Sequence, residues 1–155
     1  MRIEASPLYL DTSALAKIYV HEPDSDALDA ALSGRRDLLV SELALTELTS
    51  ALVRCVREGQ VAAAAGRRIY RQLLHDVRAG QYRLLDLTSA THREAERLLL
   101  TLGRQAPLRA ADSLHLAAAA LSDARALVTY DRHLRSAALA LGAFEVVPDS
   151  LVPNS

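Results

Sequence analysis

The sequence predicts an α/β protein, a parallel sheet with helices on both faces, on three observations. Short runs rich in Leu, Val or Tyr alternate with longer segments whose apolar residues recur at helical spacing, the order that builds parallel strand-helix-strand units. Glycines follow most of the helical segments, where a chain leaves a helix. Two acids, Asp11 and Asp131, each close a short apolar run, the position from which a side chain reaches the crevice at the carboxyl edge of a parallel sheet.

The first strand is expected over Leu8 to Asp11, followed by helices over Ser13 to Val20 and Ser25 to Leu32, the latter closed by Gly34. A second strand, Leu38 to Ser41, leads into two long helices, Ala44 to Glu58 and Val61 to Arg78. With only Gly59-Gln60 between them, these fold back as a hairpin. After Gly80 a third strand is expected over Tyr82 to Leu87, then a helix over Ser89 to Leu102 that lacks a perfect capping box and ends at Gly103. A helix over Ala110 to Leu121, a strand over Ala126 to Thr129, a helix over Leu134 to Leu141 closed by Gly142, and a strand over Glu145 to Val147 complete the series.

A chain of 155 residues, half of them hydrophobic, can bury a sizeable core as one domain, expected over residues 1–148 with 149–155 as an irregular tail. The longest apolar stretches, Leu116 to Leu121 and Ala137 to Leu141, are too short to span a bilayer. An acid, Glu4, stands where a signal peptide would carry its apolar core, and the single Cys55 excludes an internal disulfide. The expectation is a soluble, cytoplasmic protein with no membrane partner. A net charge of −1 gives no bulk attraction to nucleic acid, so local arginines must supply it: Arg67, Arg68 and Arg71 lie together, as do Arg132 and Arg135 beside Asp131. Most such arginines serve only as solvated helix faces.

Four carboxylates carry the chemistry: Asp11, Glu47, Asp112 and Asp131. Asp11 and Asp131 become neighbours if their strands pair where the winding of the sheet reverses; Glu47 rides near the start of the helix after the second strand, and Asp112 opens the helix before the fourth. Like charges brought together oppose ionisation unless a cation relieves them. Oxygen-only ligands suit Mg²⁺ or Mn²⁺, and the lack of His or Cys pairs at ligand spacing argues against zinc. Such an ion orients and deprotonates water and neutralises charge on a scissile phosphate.

Four segments in order resemble the PIN domain, in particular its VapC toxins: Tyr9-Leu10-Asp11-Thr12-Ser13-Ala14-Leu15, Ser41 to Leu48, Ala111-Asp112-Ser113-Leu114-His115-Leu116-Ala117, and Leu127 to Leu134. The resemblance runs over nearly the whole chain. It implies a PIN-like three-layer α/β/α fold with a central parallel sheet, and a nuclease that cuts RNA with Mg²⁺ or Mn²⁺, leaving a 5′-phosphate and a 3′-hydroxyl. It also implies a cognate VapB-type antitoxin that occupies the site; a homodimer is the expected assembly. Asp11, Glu47, Asp112 and Asp131 match the family's acidic positions, and Thr12, Ser13 and Thr129 its polar positions around the ion. Tyr130 departs mildly from the pattern.

Duller explanations stand beside these. Asp11, Asp112 and Asp131 lie near helix starts, where an acid caps free N–H groups. Glu42 reads as a first-turn dipole partner, His115 as a structural histidine, His75 and Asp76 as an exposed helix end, and Cys55 as a small buried side chain. Leu48, Leu52, Val56, Val61, Ile69, Leu73 and Leu74 are either ordinary core or a groove for an antitoxin helix or second subunit. In the second case a charge at Leu52 or Leu73 breaks the docking. Two rival functions share the residues. A haloacid-dehalogenase phosphatase needs a second Asp where this chain has Ser13, and a binding-only PIN module would lack part of the acidic set. A PIN nuclease of RNA processing, outside any toxin-antitoxin pair, is the nearer alternative.

Overall fold

The structure, a computed structural model, describes residues 1–149 and Leu151. Five strands, β1 (Leu8–Leu10), β2 (Leu38–Ser41), β3 (Arg83–Leu85), β4 (Ala126–Val128) and β5 (Glu145–Val147), form one sheet. Its order is β3-β2-β1-β4-β5 and every pairing is parallel. The helices are α1 (Thr12–Tyr19), α2 (Ser25–Leu32), α3 (Glu42–Arg57), α4 (Ala63–Arg78), α5 (Ser89–Leu102), α6 (Ala110–Leu121) and α7 (Arg132–Leu141).

The period of two along each strand divides the core. Leu8, Leu10, Leu38, Val40 and Val128 pack with α1 to α4 residues such as Leu15, Leu28, Leu48 and Leu73. Tyr9, Leu39, Leu127 and Val146 point the other way, onto Leu98 of α5, Leu116 of α6 and Leu134 of α7. This is the expected three-layer arrangement, and it explains why β1, β2 and β4 are buried throughout rather than alternating: both of their faces are covered. The chain winds from β1 to β3 in one direction and returns to β4 and β5 in the other. The reversal falls between β1 and β4, with Leu8, Tyr9 and Leu10 in register with Ala126, Leu127 and Val128.

Boundaries differ from expectation mainly where a side chain caps a helix. Asp11 and Thr129 fall outside their strands: Asp11 is the N-cap of α1, its Oδ1 accepting from the Ala14 N–H at 2.9 Å. Ser41 caps α3, which therefore begins at Glu42, and Asp131 caps α7, which begins at Arg132. Helix α5 does have a capping box, built one residue earlier than its first helical residue, with Thr88 and Thr91 each satisfying the other's backbone N–H. Strand β3 is shorter than Tyr82 to Leu87: only Arg83 to Leu85 pair with β2, at one edge of the sheet. Gly34, Gly59, Gly80 and Gly142 adopt positive φ as helix-end glycines do, whereas Gly103 keeps a right-handed φ of −61°. Among the described residues no helix is long and apolar enough to cross a membrane. The irregular tail expected from 149 lies outside the described residues except for Asp149 and Leu151.

Candidate active site

The sheet's carboxyl edge, at the reversal between β1 and β4, opens into a cavity of about 420 Å³. Asp11, Glu47, Asp112 and Asp131 all line it, together with Thr12, Ser13, Lys17, Arg54, Arg109, His115 and Tyr130. Each acid arrives on a different element. Asp11 follows β1, Glu47 lies in the second turn of α3, Asp112 sits in the first turn of α6, and Asp131 stands between β4 and α7. Capping and site-building coincide here, since an acid that caps a helix after a parallel strand is also placed at the crevice.

Asp11 is the most enclosed, 2% exposed. Its Oδ1 accepts from Ser13 Oγ at 2.7 Å and the Ala14 N–H, and its Oδ2 accepts from Thr129 Oγ1 at 2.5 Å. Burial nevertheless pushes its carboxyl above the ordinary carboxylate range, against the opposing pull of His115 and these hydrogen bonds. Ser13 Oγ also accepts from the Tyr130 N–H and Thr129 Oγ1 from the Asp131 N–H, at 2.8 and 3.1 Å. The two hydroxyls thereby tie the loop after β4 to the end of β1. Asp131 uses Oδ1 to accept from the Leu134 N–H at 2.8 Å.

Glu47 belongs to a second network. Its Oε1 accepts from Thr12 Oγ1 at 2.7 Å and from His115 Nε2 at 2.6 Å, while His115 Nδ1 meets the Tyr9 hydroxyl at 2.8 Å. A carboxylate only accepts, so Nε2 carries a proton, and in the neutral ring Tyr9 then donates to Nδ1. Burial raises Glu47, but the hydrogen bonds from His115 and Thr12 outweigh it and hold the carboxyl below its usual range. Burial also pushes the Tyr9 hydroxyl far up, which keeps it a neutral donor. His115, 3% exposed, is thus structural in a specific sense: it fixes a site carboxylate to the core. The sequence carried one signal for it, the spacing Asp112-x-x-His115 on a single helix face.

Arg109 was not legible as a site residue. Immediately before α6, it donates Nε to Asp112 Oδ2 at 3.1 Å and Nη2 to Asp131 Oδ2 at 3.4 Å, while its backbone N–H meets the same Asp112 oxygen at 3.2 Å. The arginines singled out from the sequence lie elsewhere. Arg135 donates to the carbonyls of Pro148 and Asp149, Arg132 is exposed on α7, and Arg67 and Arg71 line a groove between α3 and α4. Asp76 is likewise no free helix end, because its Oδ2 accepts from Tyr19 at 2.6 Å, and Cys55 is only partly buried.

The four acids share a cavity without forming a finished cage: among the described residues no three His, Cys, Asp or Glu side chains are gathered tightly enough to hold a metal ion. Their chemistry fits a hard cation all the same. His115 has both ring nitrogens engaged, so the donors open to the cavity are carboxylate oxygens, and an arginine already bridges two of them as a substitute positive charge.

A fold of this order with acids at this edge defines a class, and comparison with known proteins gives the family. The PIN domain model matches residues 8–140, so the chain belongs to the PIN domain family. It is similar to ribonuclease VapC46 of Mycobacterium tuberculosis, 37% identical over 143 residues that cover 91% of this chain and 97% of that protein. Among solved structures it is similar in fold to Mycobacterium tuberculosis VapC20, a toxin that cleaves the sarcin-ricin loop, with a TM-score of 0.66 and 18% identity over 91% of this chain and 99% of that one. It is also similar in fold to VapBC2 of Rickettsia felis bound to a promoter DNA fragment, with a TM-score of 0.63 and 14% identity, covering 90% and 96% of the two chains.

Proposed function

We propose that this protein is a divalent-metal-dependent endoribonuclease, the toxin of a VapBC-type toxin-antitoxin pair. The observation that carries the reading is the meeting of Asp11, Glu47, Asp112 and Asp131 at one cavity. Full-length similarity to a ribonuclease supports it. Asp11, Glu47, Asp112 and Asp131 would hold Mg²⁺ or Mn²⁺, directly or through water. The ion, when bound, supplies an activated water and neutralises charge on the scissile phosphate.

The protein's own groups do the rest. Ser13 and Thr129 orient both oxygens of Asp11 by donating to them, and Thr12 with His115 turns Glu47 inward from α3. Glu47 is held ionised, ready to orient a water or accept its proton. Lys17, the sole lysine, is held by Glu22 and the Pro23 carbonyl over the ring of Tyr130, forming a positive, partly apolar wall for an RNA strand.

The antitoxin would bind the groove between α3 and α4, about 440 Å³, whose lining includes the exposed Val53 and Tyr70. Similarity in fold to VapBC2 supports such a partner. The homodimer remains part of this reading, to be checked by light scattering. Cleavage of RNA by the purified protein with and without Mg²⁺ tests the nuclease; a folded protein that cuts nothing in either condition leaves only a PIN binding module. Co-purification with an upstream gene product tests the toxin role, and its failure would leave a PIN nuclease of RNA processing.

A further inference from the structure

Among the described residues, one cation lining the acidic cavity gives its side-chain hydrogen bonds to two of the four acids. Of the other cations that line it, Lys17 is tied to Glu22 at 3.3 Å and the Pro23 carbonyl at 2.8 Å, and Arg54 stands on α3. Arg109 instead gives Nε to Asp112 and Nη2 to Asp131. These acids come from the starts of two different helices, α6 and α7, so a single guanidinium relieves repulsion between separately delivered charges. The Arg109 side chain is 67% exposed while that of Asp112 is 8% exposed. Its backbone precedes α6 and its exposed side chain already lines the cavity.

We propose that Arg109 is a counter-cation that changes partner. In the metal-free protein it bridges Asp112 and Asp131, and in the metal-loaded protein it gives up those oxygens and binds the phosphate of the RNA. The inference rests on the metal-dependent reading above. A divalent cation competes for the same Oδ2 atoms with twice the charge. A guanidinium released beside a phosphodiester presents a planar fork of donors that matches two phosphate oxygens, which an ammonium does not. Removing Arg109 therefore has effects of opposite sign: it takes away a competitor of the metal and a ligand of the substrate. An ordinary surface ion pair would give neither.

The test compares the full-length wild type with Arg109→Gln and Arg109→Lys. Mn²⁺ affinity is measured by isothermal titration calorimetry, and KM for a short single-stranded RNA oligonucleotide is measured at saturating Mn²⁺. Arg109→Gln should bind Mn²⁺ about threefold to tenfold more tightly, on the scale of one exposed ion pair, and raise KM by roughly tenfold as a charge-assisted contact is lost. Arg109→Lys keeps the charge and should restore Mn²⁺ affinity to near wild type, while recovering KM only in part because it lacks the fork. Metal-free melting curves confirm that both variants fold, with Arg109→Gln slightly below the wild type because its ion pairs are lost. Equal or weaker Mn²⁺ binding by Arg109→Gln, or an unchanged KM, overturns the proposal while leaving the metal site intact. Absence of Mn²⁺ binding by the wild type overturns both this inference and the metal-dependent reading beneath it.

Discussion

Asp11 meets two demands that pull against each other. As the N-cap of α1 it should stabilise the fold, yet its burial makes the ionised form costly and pushes its carboxyl upward. A group raised in the folded state contributes stability only below its unfolded value, and that contribution is lost as pH rises through the raised folded value. At neutral pH without metal, Asp11 is therefore a liability. Asp11→Asn should lower RNA cleavage by at least about 10²-fold and raise, not lower, the metal-free melting temperature. The exchange is tolerated because Thr129 can accept from an amide as well as donate to a carboxylate. Near-normal cleavage by the folded variant would remove Asp11 from the site. His115 makes a second residue-scale case. His115→Phe removes the nitrogen to which the buried Tyr9 hydroxyl donates, costing roughly 1–3 kcal/mol, and frees Glu47 to rotate. Denaturant unfolding and cleavage should both register the loss, and activity that survives intact would confine His115 to the core.

At the scale of elements, the helical hairpin divides into a buried and an exposed face that the sequence did not separate. Leu52 and Leu73, which the sequence leaves as either core or docking positions, are 4% and 0% exposed and belong to the core beneath α3 and α4, with Leu52 also reaching the floor of the groove. A charge at either one breaks the fold instead of the interface. Leu73→Asp should cost roughly 3–5 kcal/mol and yield insoluble protein. Val53 and Tyr70 are 60% and 40% exposed and line the groove, so Val53→Asp or Tyr70→Asp should fold, cleave RNA and lose the antitoxin on co-purification. Retention of the antitoxin by both would move the docking surface off this groove. Gly66 helps the hairpin close: a Cβ there would stand 2.9 Å from Val56 Cγ2, so a larger residue would require the Val56 side chain to shift.

Over the whole molecule, stability depends on metal and on pH through separable groups. EDTA should abolish cleavage, Mg²⁺ or Mn²⁺ should restore it and Zn²⁺ should not. The melting temperature should rise with Mn²⁺ because mass action adds about 2.7 kcal/mol of stability at a hundred times Kd; indifference to Mn²⁺ would contradict direct coordination. The acid limb has another source. Arg35 binds Asp37 in a two-point contact at 2.9 and 2.6 Å and donates to the Ile3 and Ala5 carbonyls, clamping the segment that enters β1. Hydrogen bonding to Arg35 holds the Asp37 carboxyl below the usual range. Stability from such a depressed group is present above its unfolded value and lost as pH falls through the folded one. Asp37→Asn should therefore melt below the wild type at pH 7, with the difference closing only as pH falls through the depressed value of the folded Asp37. A constant gap would assign the effect to the backbone clamp alone.

Local pattern determined the strand and helix order, the parallel sheet and the place of Asp11 and Asp131 at strand-helix junctions. Each of these is written in consecutive residues: an apolar run buried on two faces, a period of 3.6, an acid at a strand-helix junction. Tertiary structure decided the contacts between groups far apart in sequence. Tyr9 and His115 meet across 106 positions, Thr129 and Asp11 across 118, and Arg109 reaches Asp131 only because α6 and α7 begin at the same edge of the sheet. Burial of Leu73 against exposure of Tyr70 was equally beyond the sequence, since both lie on an amphipathic helix and only the packing of α4 on α3 selects which apolar stripe faces inward. Periodicity reports that a helix has an apolar face; the partner that covers it is set by the fold.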